Sequence, residues 1–78
     1  MNKEEVIKIL QECIRTEESA IVLYTRHIES TFAVSGLDSA WQMKISSTLG
    51  VLSKDSQRHK QTFEKVLVQV KESEKDVY

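Results

Sequence analysis

The sequence predicts an all-α chain, a two-helix antiparallel hairpin that dimerises into a four-helix bundle, and three observations carry that expectation. Proline is absent and glycine occurs only at Gly36 and Gly50, so little in the 78 residues interrupts a helix. Apolar residues recur at helical spacing through both halves of the chain. One short segment, Val34-Ser35-Gly36-Leu37-Asp38, reads as a turn. Residues 1–78 therefore form one unit, with helix one over about 3–34, the turn over about 35–38 and helix two over about 39–73.

Helix one starts at Asn2, whose side chain can accept from a free backbone N–H; Glu5, three residues on, completes a capping box. Its apolar stripe runs through Ile7, Leu10, Ile14, Ile21, Tyr24 and Ile28, widened by Val6, Cys13 and Ala20. At the turn, Gly36 is suited to the left-handed conformation that ends a helix. Asp38 or Ser39 then caps the second helix, with Gln42 completing a box from Ser39. Helix two carries Trp41, Ile45, Leu49, Leu52, Phe63, Val66, Leu67 and Val70 on one face. The charged stretch from Lys71 to Tyr78 has no stop signal and is expected to fray. Gly50 costs roughly 1 kcal/mol against alanine inside a helix, and it reads either as a site of close contact or as a tolerated weak spot.

Each helix would be about 50 Å long at about 1.5 Å per residue, and two such rods touching along one seam leave much of each apolar stripe wet. The chain has no internal repeat to supply the missing pair, so a second copy is the expected cover, as a homodimer or a higher homo-oligomer.

Composition narrows the function. Eleven basic and twelve acidic residues give a net charge of −1, and the bases are interspersed with acids, so there is no basic stripe for nucleic acid. No segment approaches the roughly 20 apolar residues of a membrane span, and Met-Asn-Lys-Glu-Glu lacks the layout of a secretory signal. A lone cysteine, Cys13, among apolar neighbours suits a small hydrophobe in a reducing compartment, and a cytoplasmic location is expected.

Polar residues interrupt both stripes. Heptad counting takes the first through 7, 10, 14, 17, 21, 24 and 28, which puts Glu17 in its middle. The second runs through 45, 49, 52, 56, 59, 63, 66 and 70, which includes Ser56 and His59. Glu17 stands 19 residues before Gly36 and Ser56 20 after it, so the three polar side chains fall in one layer. A carboxylate in a core persists when it is paired, hydrogen-bonded or bound to metal. Two copies of Glu17 and His59 across a dimer axis would offer oxygen and imidazole ligands for one divalent ion per dimer, Fe, Zn or Mn. The opposing reading is a metal-free Glu–His layer that only sets register.

Glu17-Glu18-Ser19-Ala20-Ile21-Val22-Leu23-Tyr24 resembles the first ligand helix of ferritin-like and rubrerythrin-like proteins, where a Glu is followed by Ala three residues later and Tyr seven later. Leu52-Ser53-Lys54-Asp55-Ser56-Gln57-Arg58-His59 is similar to their second, with Ser56 where the Glu of the Glu-x-x-His motif stands. The resemblance covers nearly the whole chain, as half of the family's four-helix domain. It implies Glu17 and His59 as metal ligands, with Ser56, Asp55 and Tyr24 at the periphery, and a role in iron or oxidant handling. The family's di-iron site needs the bridging carboxylate that Ser56 replaces, so the resemblance implies at most weak ferroxidase or peroxidase-like activity. The alternative function is a non-catalytic dimerisation or scaffold module.

Overall fold

A computed structural model describes residues 1–27, 30 and 36–78. Helix α1 spans Lys3–Val22, a π-helical turn spans Leu23–His27, and helix α2 spans Ser39–Glu72. The two helices lie side by side as a hairpin of 56 × 16 × 14 Å. Its radius of gyration is 17.4 Å, against roughly 11.5 Å for a compact domain of this length, so the chain is a rod with a seam and no globular centre.

The caps follow local chemistry. Asn2 accepts from the Glu5 amide at 2.8 Å. Asp38 accepts from the Trp41 amide at 3.0 Å, which settles the choice between Asp38 and Ser39 as cap. Gln42 closes no box from Ser39; its amide instead donates to the Leu37 carbonyl at 2.6 Å, because a cap at Asp38 moves the reach-back position to Trp41. Gly36 has φ of 73°, the left-handed conformation expected of it.

Helix one departs from a uninterrupted α-helix after Val22. The Thr25 hydroxyl donates to the Ile21 carbonyl at 2.8 Å within the widened turn. Thr16, Thr48 and Thr62 make the same bond inside regular α-helix, so the hydroxyl accompanies the widening without forcing it. The expected core position Ile28 and the turn residues Val34 and Ser35 lie outside the described residues, as does the expected helix between 28 and 34 except at Ser30.

In α1 the shielded residues include Ile7, Leu10, Ile14, Glu17 and Ile21, and in the π-helical turn Tyr24, the stripe that heptad counting predicts. In α2 the shielded line is Gln42, Ile45, Leu49, Ser53, Ser56, Lys60, Phe63, Leu67 and Val70. It shares 45, 49, 56, 63 and 70 with the predicted stripe, includes Leu67, which the predicted apolar face also held, and takes 53 and 60 where 52 and 59 were expected. Both alternatives lie three or four residues from shared positions, so helical periodicity permits either. The chosen line puts the small Ser53 and Ser56 in the seam, where both are buried, and lays the Lys60 stem along it. Val70 is the one buried apolar residue among the described residues, and none of their large side chains is fully enclosed.

The tail does not fray as expected. Glu72 ends α2, and the chain then turns back beside the N-terminus, where Lys3 N donates to the Asp76 carbonyl at 3.0 Å and Tyr78 N to the Met1 carbonyl at 2.7 Å. The Lys3 ammonium also donates to the carbonyls of Lys71 and Ser73, at 2.9 and 2.6 Å, covering acceptors that the end of α2 leaves open.

Candidate functional site

Glu17 sits on the seam stripe of α1, and its side chain keeps 19% of its exposure. His59 projects from the flank of α2 and brings Nδ1 to 3.4 Å from Glu17 Oε1, with 53% of the ring side chain exposed. The separation is within ion-pair range and longer than an ordinary N–H···O bond, so the two groups face each other across a half-open edge of the seam. The acid and imidazole thus meet inside one chain, where a second copy was expected to be needed before Glu17 found a partner. Hairpin topology explains it, because antiparallel helices bring residues at similar distances on either side of the turn to nearly the same level.

The peripheral candidates are distributed differently. Ser56 is buried in the seam at the same level, between the Glu17 helix and the body of α2. Asp55 pairs with Arg58 at 3.1 Å along its own helix. Tyr24 lines a groove of about 310 Å³ with Leu49, Gly50, Ser53 and Gln57. Glu17 lines another groove, also about 310 Å³, with Ile9, Cys13 and Phe63. Tyr24 and Glu17 therefore open onto different grooves. Among the described residues no group of three or more His, Cys, Asp or Glu side chains converges as metal ligands.

Both flanks of the hairpin mix polar and apolar side chains. On the flank opposite His59, Lys60 Nζ lies 3.3 Å from Glu18 and 3.8 Å from Glu64, and Gln57 and Gln61 lie beside them. On the His59 flank, Leu52, His59 and Val66 follow one another at seven-residue spacing, with Phe63 one turn from His59. The base that Glu18 pairs with is Lys60.

No protein-family model matches the chain, and neither a curated protein nor a solved structure matches it, so the likeness to ferritin-like proteins rests on the residues quoted for it.

Proposed function

We propose that the chain is a ferritin-like half-bundle that works as a homodimer and binds one divalent metal ion per dimer in a layer built from Glu17 and His59. The observation that supports this reading is the approach of Glu17 Oε1 and His59 Nδ1 to 3.4 Å at mid-hairpin, where Glu17 lines a groove with Ile9, Glu12, Cys13, Thr16 and Phe63. A carboxylate and a neutral imidazole held together are oxygen and nitrogen donors suited to Fe, Zn or Mn, and two such pairs would bring two negative charges to one divalent ion. Ser56, buried at the same level, contributes no charge, so the layer favours one ion over two and binding over oxidation chemistry.

The competing reading, a metal-free layer that sets the alignment of a scaffold module, draws on the same pair. Metal analysis separates the two. Protein purified without added metal and then dialysed against Fe, Zn or Mn should retain about one ion per two chains, and Glu17→Ala should abolish retention. No retained metal in the parent protein, together with an unchanged or higher melting temperature for Glu17→Ala, would establish the scaffold reading.

A further inference from the structure

Two local irregularities, one in each arm of the hairpin, open onto the same groove. The π-helical turn at Leu23–His27 contributes Tyr24 and Thr25 to its wall, and α2 contributes Gly50. A glycine inside a helix costs about 1 kcal/mol, and a Cβ at Gly50 would meet nothing within 4 Å, so no packing contact calls for the missing side chain. What its absence does is leave the groove open. Single π-helical turns within helices recur at functional sites, where they re-aim side chains. The groove holds about 310 Å³, the lower end of the roughly 300–1,000 Å³ of small-molecule sites.

The lining is rich in uncommitted donors. Ser53 keeps only 5% of its exposure and lines the groove; its hydroxyl accepts from the Gln57 amide at 3.5 Å, and its own proton has no acceptor among the described residues. A buried O–H left in that state is costly until something accepts from it. Lys54 follows it on the rim and forms no ion pair among the described residues, and the Tyr24 and Ser46 hydroxyls are open as well. The Thr25 hydroxyl is spent on the Ile21 carbonyl. No Asp or Glu lines the groove, although the chain has twelve. We infer that this groove binds a small organic oxyanion, a carboxylate or a phosphate monoester. Its charged oxygens take the Lys54 ammonium and the Ser53 hydroxyl, and its body lies over Gly50 against Leu49 and the Tyr24 ring. The site stands apart from the Glu17–His59 layer, since Glu17 opens onto a different groove.

Amide chemical shifts of the full chain test the site, recorded with a metal chelator present and with phenyl phosphate, benzoate, inorganic phosphate or neutral benzyl alcohol added. Phenyl phosphate or benzoate should shift the amides of Tyr24, Gly50, Ser53 and Lys54 to saturation with a dissociation constant on the order of 1 mM or below. The tighter of the two tells phosphate from carboxylate. Inorganic phosphate should bind more weakly than the organic anions, because it leaves the apolar wall uncovered. Lys54→Ala should weaken binding about tenfold, the loss of a charge-assisted hydrogen bond. Lys44→Ala, whose ammonium lies 5.2 Å from the centre of the Trp41 ring, should leave it unchanged. Gly50→Ala should unfold at a higher temperature and yet bind several-fold more weakly, a split that a glycine of purely structural consequence would not produce. The site is overturned by any one of four results: no probe saturating these amides, benzyl alcohol or inorganic phosphate binding as tightly as the organic anions, Lys54→Ala binding like the parent, or Gly50→Ala doing so.

Discussion

Asp38 shows how much one side chain does in a chain with so little core. Its carboxylate takes the Trp41 amide at 3.0 Å, and the Asp38 carbonyl accepts from Gln42 at 3.0 Å, so the start of a 34-residue helix is anchored at one residue. An aspartate at this position also meets the positive end of the helix dipole. Asp38→Ala should cost about 1 kcal/mol, read as a drop of about 4–8 °C in melting temperature at fixed protein concentration. No drop would mean that the turn holds α2 without its cap. The same scale governs Glu17 and His59: each was recognisable as out of place in an apolar stripe, and their distance from the turn put them at one level. Their mutual approach within a single chain was not recognisable, because it depends on how far α2 is rolled about its own axis.

Gly50 belongs to the scale of the element. A Cβ built there meets nothing within 4 Å, so within the hairpin the glycine serves no close approach and leaves helix α2 with a weak point. Gly50→Ala should therefore raise stability by up to about 1 kcal/mol, an upward shift of a few degrees in thermal unfolding. A loss of stability would reveal a neighbour that the hairpin alone lacks. At this scale the start of α1 and its inward stripe were legible, and the cap of α2 only to within Asp38 or Ser39, since caps and periodicity are local. The line of α2 was legible only in part. Leu52 and Val66 are more apolar than Ser53 and Lys60, so hydrophobicity alone selects the former, yet the seam takes the latter. Small serines permit the helices to approach, and the Lys60 ammonium escapes to Glu18 at the edge. The π-helical turn at Leu23–His27 carried no glycine or proline to announce it.

For the whole molecule, the decisive feature is the meeting of the chain's ends at the open end of the rod. The antiparallel bridge between Asn2 and Val77 and the Lys3 contacts with Lys71 and Ser73 tie the first turn of α1 to the last turn of α2. Deleting residues 73–78 removes backbone bonds worth about 0.5–1.5 kcal/mol each. The truncated chain should unfold several degrees lower and keep nearly all its helical circular dichroism, because α1 and α2 keep all their residues and only the Ser73 cap of α2 is lost. An unchanged melting temperature would show that the tail rests on the rod without bracing it.

The sequence by itself determined that the chain is helical, where its first helix starts and its second begins, which side of α1 faces inward, and that Glu17, Ser56 and His59 share a level. These follow from capping chemistry, from the lack of helix breakers and from counting residues outward from one turn. Only the tertiary structure decided the roll of α2, the pairing of Glu17 with His59 and of Glu18 with Lys60, and the return of the tail to the N-terminus. The reason is that a helix of 3.6 residues per turn offers two nearly equivalent lines for a seam, and the choice between them depends on the shape of the opposing helix. Pairing between chain ends uses backbone N–H and C=O groups that every residue carries, so no residue type marks it in advance.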